Sequence, residues 1–238
     1  MKKNILILGG SSDIGIEVIK KLVKNANVVY AHFSNNKKAL KNLKSKELKI
    51  IQSNFEKINE KNIRDILFKK FNFKFDIIIN LIGYIDNKGF GNTNLGSIIK
   101  SLKINAVIPS LIIQKSLNNM LKNNWGRILN CSSVGVKFGG GKNSYNYSLS
   151  KHCMEFIPSN FKNWAKKNVT INNLRIGVTD TKIHRKMKRG KKFIKNRIKL
   201  IPANRMASPQ EIADFIINLT TKNTSFITGQ TINISGGE

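Results

Sequence analysis

The chain has 238 residues, 40% of them hydrophobic, enough to bury one sizeable core and to make a single domain over 1–238. Its formal charge of +29 comes from 42 Lys and Arg against 13 Asp and Glu, and Lys supplies 35 of the 42. That charge is spread along the chain without arginine- and aromatic-rich clusters, and 32 Asn beside many Lys and Ile point to codons of an AT-rich genome. Nucleic acid is therefore not expected as the main partner.

Met1-Lys2-Lys3-Asn4-Ile5-Leu6-Ile7-Leu8 imitates a signal peptide, but its apolar run stops at Gly9-Gly10 and reads as a first strand. Further short apolar or β-branched runs follow at Val28–Phe33, Leu48–Gln52, Phe75–Ile82, Arg127–Cys131, Val169–Ile176 and Thr231–Ile234. Helical periods lie between them at 14–25, 36–46, 56–72, 97–121, 147–165 and 209–221, with Pro158 expected to kink or end the fifth. This alternation predicts an α/β fold with a parallel sheet of about seven strands and helices on both faces. Near-continuous apolar runs such as Ile77-Ile78-Ile79 suit strands covered on both sides. No later segment reads as long and apolar enough to span a bilayer, so no membrane partner is expected. Cys131 and Cys153 show no metal-ligand spacing. With no secretory signal they read as two reduced thiols in a cytoplasmic protein, and no metal is expected.

Gly9-Gly10-Ser11-Ser12-Asp13-Ile14-Gly15 joins the first strand to the first helix. Glycines there let the backbone approach a pyrophosphate, while the helix N-terminus offers N–H donors and positive dipole. Asp13 is unexpected beside a pyrophosphate and is read as the cap of a helix beginning at Ile14. The second strand ends His32-Phe33-Ser34-Asn35-Asn36-Lys37-Lys38, without the carboxylate that would bind a ribose 2′-hydroxyl. Ser34, Asn35 and Asn36, with Lys37 or Lys38 nearby, suit a 2′-phosphate instead, which favours NADP(H) over NAD(H). His32 is read as packing.

Tyr147 and Lys151 form a Tyr-x-x-x-Lys pair, with Ser133 a short loop upstream. If a helix starts at 147, the i,i+4 spacing puts both side chains on one face. A phenol titrates near ~10, too high for proton trading at neutral pH, and a neighbouring ammonium favours the phenolate. Tyr147 is thereby a candidate general acid/base. Tyr145 has Leu149 four residues on and lacks the lysine.

In this order the pieces resemble the short-chain dehydrogenase/reductase family over nearly the whole chain. Its Thr-Gly-x-x-x-Gly-x-Gly turn matches Leu8 to Gly15, with Leu8 for Thr and Asp13 for the middle Gly. Asn54 stands where the family has an adenine-contacting Asp, and Asn80-Leu81-Ile82-Gly83 where it has Asn-Asn-Ala-Gly. Asn105 matches its helix Asn, Gly126 to Ser133 the strand leading to its serine, and Ile176-Gly177-Val178-Thr179-Asp180-Thr181 its nicotinamide-side turn. Ile201-Pro202, Arg205, Pro209, Glu211 and Thr228-Gly229-Gln230 to Ser235-Gly236-Gly237 match its closing segment.

The resemblance implies a single-domain Rossmann-type three-layer fold and a homodimer or homotetramer. It also implies NAD(P)(H)-dependent hydride transfer between a nicotinamide and a small-molecule carbonyl or alcohol. Tyr147 would give the proton. Lys151 would lower the Tyr147 pKa and hold the nicotinamide ribose. Ser133 would bond the substrate oxygen, with Ser132 competing for that role, and Asn105 would anchor a water between Lys151 and solvent. Gly9, Ser11, Ser12, Asp13, Ile14, Gly15, Ser34, Asn35, Asn54, Asn80, Gly83, Gly177, Val178 and Thr181 complete the implied cofactor site.

The segment at about 182–200 is far denser in Lys and Arg than the rest of the chain. It reads either as a lid recruiting an anionic substrate or as a solvated helix face shaped by codon usage. Candidate substrates are a 3-oxoacyl carrier thioester, or a sugar or nucleotide-sugar. The alternative to an enzyme is a non-catalytic protein on the same fold, sensing dinucleotide or binding nucleic acid. The full Ser, Tyr, Lys and Asn set argues for the enzyme.

Overall fold

The computed structural model describes residues 2–186 and 190–238. Seven strands make one sheet: β1 (Asn4–Leu8), β2 (Val28–Phe33), β3 (Leu48–Gln52), β4 (Ile77–Asn80), β5 (Gly126–Ser133), β6 (Val169–Ile176) and β7 (Thr231–Ile234). All pair in parallel in the order β3-β2-β1-β4-β5-β6-β7. The chain runs outward from β1 to β3, crosses back, and resumes outward from β4. The order thus reverses between β1 and β4, and a crevice opens beyond their carboxyl ends.

The helices are α1 (Asp13–Leu22), α2 (Leu95–Leu102), α3 (Ile108–Lys122), α4 (Tyr145–Met154), α5 (Phe161–Ala165), α6 (Ile183–Lys186), α7 (Lys191–Ile198) and α8 (Pro209–Thr221). On one face of the sheet, Ile5, Ile7, Val29, Ala31 and Ile79 pack on Val18, Ile19 and Leu22 of α1 and Ile212 and Ile216 of α8. On the other, Leu6, Leu8, Ile78 and Ile128 meet Ile108, Ile112 and Met120 of α3 and the aromatics Phe55, Phe71 and Phe75. Each Val, Leu, Ile, Met or Phe side chain so buried contributes about 1.5–3 kcal/mol. Two apolar faces produce three layers, as expected.

The strands follow their sequence signals, except that β4 is shorter than Phe75–Ile82 and β5 is longer than Arg127–Cys131, pairing on through Ser132 and Ser133. Two helix expectations fail. Segment 36–46 forms only a 3-10 turn at Lys38–Leu40, because Leu40 alone among Lys38, Ala39 and Leu40 is buried. Segment 56–72 breaks into a 3-10 turn, Phe55–Lys57, and a π turn, Arg64–Phe68. There the rings of Phe68, Phe71, Phe73 and Phe75 pack on one another, and that packing overrides local helix preference. The helix expected over 147–165 starts at Tyr145, ends at Met154 and resumes as α5 beyond Pro158. α6 and α7 lie in the basic segment, for which a helix face was one of the two readings, and residues 187–189 of that segment fall outside the described residues.

A third correction concerns 97–121. α2 and α3 join through a π turn, Lys103–Val107, into one helical stretch, Leu95–Lys122, which by length and composition alone could cross a membrane. It does not read that way in place: Ile108, Ile112 and Met120 belong to the core against the sheet.

Candidate active site

A cleft of about 930 Å³ follows the carboxyl ends of the strands. It begins where β1 leaves the sheet. Gly9 has φ +75°, and a Cβ there would lie 2.9 Å from the Leu81 carbonyl oxygen just after β4. A Cβ on Gly15 would lie 2.7 Å from the Gly10 carbonyl oxygen, so both positions require glycine. Ser12, not Asp13, caps α1, its Oγ accepting from the Gly15 N–H at 3.1 Å. Asp13 is instead the first residue of α1, and its Oδ2 accepts from the backbone N–H of Lys182 at 2.7 Å. Its Oδ1 lies 3.3 Å from Lys182 Nζ, which ties the glycine turn to the start of the basic segment. The expectation that Asp13 caps the helix is thus corrected, because its carboxylate turns outward to a residue 169 positions away.

Ser11, Ser12, Asp13 and Ile14 line the cleft at this turn, and Ser34, Asn35, Asn36 and Asn54 line its far end. Ser34 Oγ donates to Asn35 Oδ1 at 3.3 Å, and no carboxylate stands between Phe33 and Asn36. Asn54 Oδ1 accepts from the Glu56 N–H at 3.0 Å and shapes the loop after β3. A dinucleotide fits this half on structural grounds: a glycine turn without room for Cβ, next to a helix N-terminus with hydroxyls facing the cleft.

His32 was read as packing, and that reading is incomplete. The ring is 1% exposed, yet its Nδ1 accepts from the Gly9 N–H at 3.3 Å and its Nε2 lies 2.9 Å from the Ser53 carbonyl oxygen. Burial pulls its pKa down to about 4. A histidine inside Val28–Phe33, otherwise apolar apart from Tyr30, was the available signal.

At the other end, α4 carries Tyr147 and Lys151 on one face, and both line the cleft. Lys151 is 2% exposed, its Nζ donating to the carbonyl oxygens of Ile82 and Cys131 at 2.5 Å each and lying 5.9 Å from the Tyr147 ring centroid. Burial draws its pKa down to about 8, so the ammonium persists at neutral pH. The same burial pushes the Cys131 thiol up to about 12. Gly83 lies beside the tyrosine, since a Cβ there would sit 3.8 Å from its ring. Tyr145 does not line the cleft, and its ring packs edge-on against Phe90 at 5.0 Å.

Ser132 and Ser133 both line the cleft. Ser132 is 4% exposed and its Oγ has no hydrogen-bond partner among the described residues, whereas the half-buried Ser133 accepts from the Gly135 N–H at 3.1 Å. Gly177, Val178 and Thr181 also line the cleft. A Cβ on Gly177 would meet Ser235 Cα at 2.7 Å, and Thr181 Oγ1 donates to the Thr179 carbonyl at 3.4 Å.

Gly15, Asn80 and Asn105 do not line the cleft; they support residues that do. Asn105 sits in the π turn, accepting from the Tyr84 N–H at 2.7 Å and donating to Tyr84 O at 2.9 Å and Ser150 Oγ at 2.8 Å. It thereby braces the residue before Lys151. Asn80 Oδ1 accepts from the Ile82 N–H at 3.2 Å, and Ile82 is the residue whose carbonyl holds Lys151. Asn80 Nδ2 donates to Asn130 Oδ1 at 3.2 Å, and Asn130 Nδ2 to Asn173 Oδ1 at 3.5 Å. Neither Asn130 nor Asn173 drew notice in the sequence.

The comparisons agree with this geometry. A family model described as Enoyl-(Acyl carrier protein) reductase matches residues 11–238. The 3-oxoacyl-[acyl-carrier-protein] reductase FabG of Aquifex aeolicus is 35% identical over 164 residues, covering 68% of this chain and 64% of that protein. Its counterpart in Buchnera aphidicola subsp. Acyrthosiphon pisum is 29% identical over 255 residues, covering 99% and 97%. The crystal structure of a short chain dehydrogenase family protein from Francisella tularensis superposes with a TM-score of 0.81 at 28% identity, covering 100% of this chain and 98% of that one. A dinucleotide turn at the switch point, a buried lysine under a cleft tyrosine, and these matches place the chain in the short-chain dehydrogenase/reductase family of oxidoreductases.

Proposed function

We propose that this enzyme reduces the keto group of a 3-oxoacyl thioester, with NADPH preferred over NADH. The observation that carries the reading is Tyr147 lining the cleft with the buried Lys151 Nζ 5.9 Å from its ring centroid, in a cleft that Gly177, Val178 and Thr181 also line. The printed activities of the Aquifex and Buchnera relatives support the substrate class.

The glycine turn and the α1 N-terminus would hold the pyrophosphate, Ser34 and Asn35 a 2′-phosphate, and Thr181 with the Val178 backbone the carboxamide. When bound, the cofactor supplies the hydride. Reduction builds negative charge on the substrate oxygen, which requires a donor and then a proton. Ser133 offers its hydroxyl to that oxygen and Tyr147 delivers the proton. The Lys151 ammonium, kept in place by two carbonyls, stabilises the phenolate left behind. The lack of a carboxylate at Phe33–Asn36 supports the NADPH preference.

The exposed Lys182 and the other lysines of the basic segment suit a substrate carrying an anionic group. Phe90, Leu95, Ile99 and Val107 are exposed apolar side chains, which supports association with a second copy into a homodimer or homotetramer. The free thiols Cys131 and Cys153 support a cytoplasmic setting.

The test is NADPH oxidation with a 3-oxoacyl thioester, for the unsubstituted protein and for Tyr147→Phe. The variant should fold and bind cofactor normally yet lose about 10²–10⁴-fold in kcat. Near-full turnover by Tyr147→Phe would overturn the assignment, and a lower KM for NADH than for NADPH would overturn the cofactor preference.

A further inference from the structure

Both amide N–H groups at the start of the glycine turn are bonded to one residue. Gly10 N–H donates to the His32 backbone carbonyl at 2.8 Å, and Gly9 N–H donates to His32 Nδ1 at 3.3 Å. On the far side of the ring, Nε2 is 2.9 Å from the carbonyl oxygen of Ser53, the residue before Asn54 in the loop after β3. Ser53 is itself fastened to β2, its N–H donating to the Phe33 carbonyl at 3.0 Å. The imidazole stacks on Phe55 with centroids 4.5 Å apart and planes at 17°.

These contacts leave one form of the ring. Gly9 presents a donor, so Nδ1 must be an unprotonated acceptor; Ser53 presents a carbonyl, so Nε2 must carry the hydrogen. A rigid five-membered ring with an acceptor on one side and a donor on the other spans β2 from the turn after β1 to the loop after β3. His32 also lines the cleft between the residues at its pyrophosphate end, Gly9 and Ser11, and those at its adenine end, Asn54 and Phe55. A short amide side chain reproduces only one of the two bonds: Asn places its polar atoms near Nδ1, and Gln near Nε2.

We propose that His32 is a positioning residue for the dinucleotide: through Gly9 N–H and Ser53 O it locks the pyrophosphate turn and the adenine-side loop into one preformed cradle. Such preorganisation removes ordering cost from the binding step, so it acts on cofactor affinity and not on the proton transfer at Tyr147. The inference rests on the dinucleotide-reductase reading above.

The experiment measures dissociation constants by calorimetry for NADPH, for 2′,5′-ADP and for reduced nicotinamide mononucleotide, in the unsubstituted protein, His32→Asn and His32→Gln. Each variant loses one hydrogen bond and should bind NADPH and 2′,5′-ADP about tenfold more weakly. Affinity for the mononucleotide, kcat at saturating NADPH and KM for the carbonyl substrate should stay unchanged, a split that general loosening of the fold would not produce. Unaltered NADPH affinity in either variant, or equal losses for the mononucleotide, would overturn the proposal. If the unsubstituted protein bound no dinucleotide, the cofactor reading itself would fail. Should the variants not fold, ¹⁵N-histidine NMR of the unsubstituted protein decides: His32 must show the Nε2–H tautomer, and an Nδ1–H ring would refute its role.

Discussion

Desolvation, more than paired charge, sets the ionisable chemistry of individual residues in the cleft. Lys151 and His32 are both driven toward their neutral forms by burial, but with different outcomes. Lysine starts high enough that its pKa of about 8 still leaves it charged at neutral pH, whereas histidine, moved to about 4, is neutral. The histidine shift has a stability consequence. With an unfolded value near 6.5, the unfolded chain binds the His32 proton more readily than the folded one, so stability rises with pH across that interval. The contribution is complete above about pH 6.5, declines as pH falls, and levels off below about pH 4, a span of about 3 kcal/mol. Denaturant unfolding from pH 7 to pH 4 should therefore show a steeper loss for the unsubstituted protein than for His32→Gln. Parallel curves would mean that the ring is not held neutral.

Among the elements, the strands were the most legible, because apolar β-branched runs covered on both sides leave little alternative. Tyr147, Lys151 and the glycine turn were legible for a similar reason, since each is a local pattern. The failures share a cause. At 56–72 the period suggested a helix, but the Phe rings found better partners in one another, and at 36–46 the spacing had little to bury. Asp13 was misread, and His32 read only as packing, because the Lys182 and Ser53 groups that fix their roles lie far off in sequence. The π turn at Lys103–Val107 could not be read from periodicity either. Pro109 lacks the N–H that would bond to the Asn105 carbonyl in an ordinary helix, and the Ile108 N–H reaches back five residues to Lys103 O. One added residue turns α2 by about 100° relative to α3, which lets one stretch seat Asn105 beside Ser150 and still bury Ile112 and Met120. Deleting Ala106 should restore a regular helix with unchanged circular dichroism while kcat/KM falls at least about tenfold, as Asn105 leaves Tyr84 and Ser150. Full activity after the deletion would show that the π turn is incidental.

Across the molecule the sheet does more than carry side chains to the cleft. Asn80, Asn130, Asn173 and Thr231 are register partners on four successive strands. Asn173 Nδ2 closes the row by donating to the Glu155 carbonyl at 2.7 Å and to Thr231 Oγ1 at 3.2 Å. In a parallel sheet buried on both faces, hydrophobic pattern is a poor guide to alignment: Ile77-Ile78-Ile79 would remain apolar against its neighbours if β4 slid by one residue or by two. The amide row would not survive the slip, because each displaced Asn would leave a buried amide without a partner, at about 1–3 kcal/mol apiece. The buried amides act as an alignment key, rejecting near-miss pairings that the isoleucines would accept. Replacing Asn80, Asn130 and Asn173 together by Leu removes both partners of the amide–amide bonds but strands the Ile82 N–H and the Glu155 carbonyl, so equilibrium stability should fall by about 1–3 kcal/mol for each group left behind. Refolding should then become heterogeneous, with several phases in stopped-flow fluorescence where the unsubstituted chain shows fewer. A triple variant that refolded as uniformly as its parent would show that strand alignment in this sheet is set elsewhere.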